Sequence, residues 1–150
     1  MTAAFLKIRP YAHHDEAQVV ALWRVCGLTR PWNSPYRDIA RKLTVQSEWF
    51  LVGEIEGGVV ASVMAGYDGH RGWINYLAVD PAWQKRGYGR ALMAAAQARL
   101  LAAGCPKVNL QIRRDNAAVQ QFYASMGFAP DDVLSLGKRL IPDTEEQALG

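Results

Sequence analysis

The sequence predicts an α+β fold, a mixed α/β domain organised on one sheet. Residues 49–55, 59–66 and 73–79 read as strands joined by short glycine-bearing connections, the pattern of consecutive antiparallel strands. The third of these runs through a basic turn with two glycines directly into an alanine- and leucine-rich helical pattern. A further alternating segment, 107–113, is followed by a new helix start at Asp115-Asn116.

The 150 residues are one domain's worth and can bury a sizeable core. No repeat or linker divides residues 1–150, so a single domain is expected, with its core at about 7–140 and a polar, flexible tail at 141–150. Half of the residues are hydrophobic, yet no apolar run approaches the ~20 residues of a membrane span. The first ten residues lack a secretory apolar region, and Cys26 and Cys105 have no metal-type spacing. A cytoplasmic protein with free thiols, no membrane association and no metal site is expected. A net charge of +3 is too small to argue for nucleic acid, and no zinc or RNA-binding motif supports that partner.

In chain order, residues 7–10 suggest a first strand stopped by Pro10. His13-His14-Asp15-Glu16 opens a helix that carries Val19, Leu22, Trp23 and Cys26 on one face and ends at Gly27. The adjacent histidines do not share a helix face and have no third ligand. Residues 28–36 form a loop with two prolines whose Arg30, Trp32 and Tyr36 exceed what a connector needs. A second helix is expected from Arg37 to about Val45, with Ile39 and Leu43 on its apolar side. After the strands, Leu92, Met93, Ala96, Leu100 and Ala103 recur at helical spacing until Gly104 and Pro106. The helix begun at Asp115-Asn116 carries Val119, Phe122, Tyr123 and Met126 to Gly127, and residues 133–140 read as a last strand.

The chemistry concentrates at residues 84–90. Gly87 and Gly89 permit positive φ and close approach of a ligand, while Gln84, Lys85, Arg86 and Arg90 add donors and positive charge. At the start of a helix, such a turn suits a di- or polyphosphate. A dinucleotide fingerprint would need glycine where Leu92 stands. A P-loop is excluded because Gly137-Lys138 has Asp132 and Arg139 at its other key positions.

Gln84-x-x-Gly87-x-Gly89, following the strand 73–79, resembles the acetyl-CoA signature of the GCN5-related N-acetyltransferase (GNAT) superfamily. The block Asn116 to Phe128 is similar to that family's second signature at Asn116, Phe122, Tyr123, Gly127 and Phe128, with Ala118 and Val119 around the usual alanine. Together the two cover the chain best from 73 to 128. The resemblance implies a twisted, mostly antiparallel sheet of six to seven strands with a splayed parallel pair in the middle, flanked by about four helices. It implies acetyl-CoA as cofactor, bound by Leu77, Ala78, Val79, Gln84, Lys85, Arg86, Gly87, Tyr88, Gly89, Arg90, Asn116, Phe122 and Tyr123. Strands 73–79 and 107–112 are then expected to part at a bulge near Leu77 and Ala78, leaving backbone groups for pantetheine and an N–H for the thioester oxygen.

The implied activity is direct acetyl transfer to a primary amine of a small molecule or protein, with Tyr123 as general acid. An ordinary lysine-like amine is neutral in only about one molecule in 2,500 at pH 7, so a base is required. The glutamate that many family members carry at the strand 73–79 is missing here. His70 and Asp68, just upstream, are the nearest candidates in sequence, beside the alternative of an exposed turn. Arg30, Trp32, Tyr36 and Tyr67 are candidate acceptor contacts. A non-catalytic acyl-CoA-binding module on the same fold is the alternative, as is nucleic-acid binding through Lys85, Arg86, Arg90, Arg113 and Arg114. The aromatics of the N-terminal half leave a homodimer open.

Overall fold

Residues 5–143 are described by the computed structural model. Its five strands lie in the order β1-β2-β3-β4-β5: Lys7–Pro10, Phe50–Ile55, Gly58–Tyr67, Gly72–Val79 and Val108–Leu110. The first four pair antiparallel and β5 joins β4 in parallel. The helices are α1 (Glu16–Val25), α2 (Pro35–Lys42), α3 (Tyr88–Ala102) and α4 (Ala117–Ala124).

Alternation along the strands divides the core between the two faces of the sheet. Phe50 and Val52 of β2 pack with Val19, Val20, Leu22 and Trp23 of α1 and Ile39 of α2. Leu51, between them, points the other way, to Leu92, Met93, Ala96 and Leu100 of α3. α4 closes that second face with Tyr123, Val119 and Phe122.

Several expectations need correction. The sheet has five strands among the described residues, not six to seven, because residues 133–140 pair with nothing in the sheet. Val133, Leu134, Leu136 and Leu140 are 75–89% exposed, so the segment buries no face against the sheet. The parallel pair therefore lies at the sheet's edge rather than its middle. β5 is only three residues long, since its partner strand bulges beyond Ile74 and no longer offers a straight edge.

α2 starts at Pro35, two residues earlier than its composition suggests. Ser34 caps it by accepting from the Arg37 amide at 3.3 Å, and proline is favoured at the first helical position, where no N–H is required. The tail is tied down further than expected. Asp143 is buried, accepts from the Ser34 amide at 2.8 Å and pairs with Arg37 and Arg41. The rest of the proposed flexible tail, 144–150, lies outside the described residues.

Candidate active site

β4 organises the site. Ser62 of β3 faces Ala78 and Met64 faces Asn75, so three steps of β4 oppose two of β3. The extra residue falls at Tyr76 and Leu77, one position before the expected bulge, and Tyr76 takes φ +52°. A tyrosine in that left-handed region costs about 1–2 kcal/mol, which its surroundings must offset. On the other edge, pairing with β5 ends at Ile74 and Leu110, leaving residues 75–79 without a β5 partner. An open cleft of about 2180 Å³ fills the gap between the strands. Leu77, Asn116 and Tyr123 line it together with Arg30, Trp32, Asn33 and Asp38 from the opposite side.

After β4 the chain makes the basic loop. Gly87 has φ +83° and is the N-cap of α3, while Lys85 also turns left-handed at φ +63°. The first intrahelical bond runs from the Ala91 amide to the Gly87 carbonyl at 3.0 Å, and no side chain caps the helix. The amides of Tyr88, Gly89 and Arg90 thus have no acceptor within the helix. Gly89 is helical, contrary to the expectation of positive φ. Its role is close approach, because a Cβ there would meet Phe122 Cζ at 3.1 Å. A nest of backbone donors at the start of a 15-residue helix fits a diphosphate well.

The loop's side chains are more engaged than the sequence suggests. Gln84 donates to the Val79 carbonyl at 2.9 Å, Arg86 stacks over Trp83 at 4.8 Å, and Arg90 donates to Ser125 Oγ at 2.6 Å. Tyr88 packs near Trp83, and Lys85, Arg86 and Arg90 are all exposed. Residues 84–90 do not line the cleft itself.

Asn116 caps α4 by accepting from the Val119 amide at 3.2 Å. That helix directs Tyr123 to the cleft, wedged edge-on between Phe122 and Phe128. Burial alone pushes the Tyr123 pKa up to about 12, so the hydroxyl stays protonated at neutral pH.

Asp68 and His70 are not brought to this site. They sit on the exposed turn between β3 and β4, where Asp68 Oδ1 accepts from the His70 and Arg71 amides at 2.8 and 2.7 Å. Those backbone bonds hold the Asp68 carboxyl below its usual range. Leu77 lies five residues beyond the start of β4, roughly 15 Å along a strand. Of the suggested acceptor contacts, Arg30 and Trp32 line the cleft, whereas Tyr36 and Tyr67 do not. Tyr36 lies under the Arg24 guanidinium, and Tyr67 is held at its backbone by the Gln46 side chain.

Sequence reasoning passed over Asn33, Asp38 and Tyr76. The Tyr76 hydroxyl donates to Asp38 Oδ2 at 2.6 Å, and Asn33 donates to the same oxygen at 2.5 Å. A local signal existed at Tyr76 only in hindsight: Ile74 and Leu77 share the α3 face although they are three residues apart. No group of three potential metal ligands occurs among the described residues. Likewise, no described helix is long and apolar enough to cross a membrane.

The profile of the acetyltransferase (GNAT) family matches residues 13–128. This chain belongs to that family. It is 46% identical over 140 residues to an acetyltransferase of Yersinia enterocolitica, spanning 93% of this chain and 99% of that protein. Among solved structures, an aminoglycoside acetyltransferase from an uncultured soil metagenomic sample superposes with a TM-score of 0.71 at 25% identity, over 91% of this chain and 97% of the other. N-acetylglutamate synthase from Neisseria gonorrhoeae, solved with coenzyme A and L-arginine, has a TM-score of 0.68 at 22% identity, over 89% of this chain and 30% of that one. The chain is thus an acyltransferase of the GNAT fold.

Proposed function

We propose that this acetyltransferase uses acetyl-CoA and transfers the acetyl group directly to a primary amine of a small molecule or protein. The observation that carries the reading is the bulged, unpaired stretch of β4 facing the same cleft as the buried Tyr123 hydroxyl. Bound there, acetyl-CoA would supply an acyl group already activated as a thioester.

The chain's own residues divide the remaining work. The loop amides from Lys85 to Arg90, with the Lys85 ammonium, suit the pyrophosphate. The edge of β4 beyond Ile74 that β5 leaves without a partner suits an amide-bearing pantetheine arm, which resembles a further strand. Tyr123 holds a proton on Oη that a departing thiolate can take. Arg30, Trp32 and Asp38 line the opposite side of the cleft, where the acceptor amine would enter. Both thiols are tied to backbone carbonyls, Cys105 donating to that of Lys107 at 3.3 Å. Cys26 donates to the Val79 carbonyl at 3.3 Å, and burial pushes its thiol pKa up, away from the thiolate.

Thiol release from acetyl-CoA in the presence of an amine panel tests the reading, alongside calorimetric binding of coenzyme A. Turnover with at least one amine, lost in Tyr123→Phe while coenzyme A still binds, is the expected result. Tight binding without turnover on any amine would instead make the protein an acyl-CoA-binding module.

A further inference from the structure

Side chains from α1, α2, β3 and the loop before α2 converge on the bulge of β4. Trp23 donates from Nε1 to Ser62 Oγ at 2.9 Å, and Ser62 Oγ donates to the Tyr76 carbonyl at 2.8 Å. The Tyr76 ring stacks on Trp23 with centroids 3.8 Å apart. Its hydroxyl donates to Asp38 Oδ2, which Asn33 also holds. Trp23 and Ser62 are completely buried. Burial, and then the bond to Asp38, push the Tyr76 pKa well above its ordinary value, so the hydroxyl is a permanent donor. Contacts from Ser62, Trp23, Asp38 and Asn33, which also donates to the Tyr76 hydroxyl at 3.2 Å, therefore fix one residue whose backbone is in the left-handed region.

The consequence is directional. In a trans peptide the C=O and the following N–H point in opposite directions, and no described peptide here is cis. Ser62 holds the Tyr76 carbonyl toward β3. The Leu77 N–H must then point away from β3, toward the side that β5 vacates after Leu110. That is the cleft side of β4.

We propose that Trp23, Ser62, Tyr76 and Asp38 form a clamp that positions the Leu77 N–H as the donor to the thioester oxygen during acyl transfer. The proposal rests on the acetyl-CoA reading above and adds to it how the donor is aimed. The four are positioning residues, since only the Leu77 amide would touch the reacting group. Such a donor stabilises the developing oxyanion only if it is already oriented before the amine attacks.

Two readouts test the clamp, one of them independent of turnover. In ¹⁵N-labelled protein, the Leu77 amide resonance is expected to shift more with acetyl-CoA than with coenzyme A, which lacks the thioester carbonyl. Ser62→Ala and Tyr76→Phe should lose most of that difference while binding coenzyme A as tightly as the parent. Their kcat should fall roughly tenfold, as for a reacting group displaced by a fraction of an ångström. Asp38→Asn, at a side chain 24% exposed and so tolerant of change, provides the same readouts if Ser62→Ala does not fold. Tyr76→Gly adopts positive φ without strain, whereas Tyr76→Ala does not, so the glycine variant should keep several-fold more kcat. A parent-like Leu77 response with parent-like kcat in these variants overturns the clamp, as does equal activity of the glycine and alanine variants. Should the parent acetylate no amine at all, the function reading fails, while the Leu77 response still decides the clamp.

Discussion

The loop at 84–90 and the cluster around Tyr76 are joined to the same strand, yet they are built in opposite ways. In the loop the donors on offer are backbone amides, those of Tyr88, Gly89 and Arg90, and the left-handed Gly87 and Lys85 set their direction. Around Tyr76, the contacts are made by side chains drawn from positions 23, 33, 38 and 62. A local device tolerates replacement of most side chains but not of its glycines. A long-range device fails when any one member is removed, because each hydrogen bond orients the next. The loop, the proposed cofactor half, should therefore be sensitive to backbone changes and the Tyr76 cluster, the proposed acceptor half, to side-chain deletions.

The largest effect should come from the one side chain in the cofactor half whose chemistry has no backbone substitute. Tyr123→Phe keeps the aromatic packing against Phe122 and Phe128 but removes the proton, so kcat should fall about 100-fold or more. Coenzyme A affinity should not change. Steady-state thiol release with calorimetry checks both, and loss of affinity in parallel with kcat would mean the ring matters only for packing.

On the acceptor side, Asp143→Ala should cost about 2–3 kcal/mol of stability, the worth of hydrogen bonds made to a charged group. Asp143 is deeply buried, and burial alone would raise its pKa. The Ser34 amide, Arg41 and Arg37 outweigh that and hold it below the ordinary value. A lowered folded-state pKa stabilises the protein above the unfolded value near 4 and is lost as pH falls through the folded one. The gap between parent and Asp143→Ala in urea denaturation should accordingly be full at neutral pH and shrink below about pH 4. A constant gap would show that the contribution is packing rather than charge.

These two halves also explain what was legible in the sequence. The loop and α4 could be read because Gln84, Gly87, Gly89, Asn116 and Tyr123 act at fixed short spacings, which local backbone geometry imposes. Strands β2 to β4 followed from apolar runs punctuated by glycine. The clamp could not be read, since nothing in the linear order links Trp23 or Asp38 to Tyr76; only antiparallel pairing across β3 brings them together. Residues 133–140 misled for the converse reason: their composition is strand-like, but they have no buried face to occupy. Asp143 was invisible because its partners, Ser34, Arg37 and Arg41, lie about a hundred residues away.

A smaller effect separates the roles of the two glycines. At Gly87 an added Cβ meets nothing within 4 Å, so Gly87→Ala is opposed only by its φ of +83°. That conformation costs an alanine about 1–2 kcal/mol. In this exposed loop the strain relaxes in the free protein and returns when the ligand binds, so coenzyme A should bind roughly tenfold more weakly. Gly89→Ala has no strained φ and needs only a small movement of the Phe122 ring. Its penalty should be smaller, and calorimetry that ranked it above Gly87→Ala would move the decisive contact from the turn to the α3–α4 packing.

The smallest effect is expected at the base candidate nearest in sequence. His70→Ala should leave the pH profile of kcat/KM unchanged, because the residue lies on an exposed turn at the start of β4, roughly 15 Å of strand before Leu77. Asp68, its neighbour, already spends its carboxylate on two turn amides. If the acceptor half supplies the environment for the amine, proton removal belongs to water in the cleft and not to the β3–β4 turn. A rate that no longer falls between alkaline and neutral pH in His70→Ala would place the turn at the amine after all. It would also require the turn to fold over the cleft, a movement that hydrogen exchange at the Asp68-bonded amides of His70 and Arg71 would detect as loss of protection.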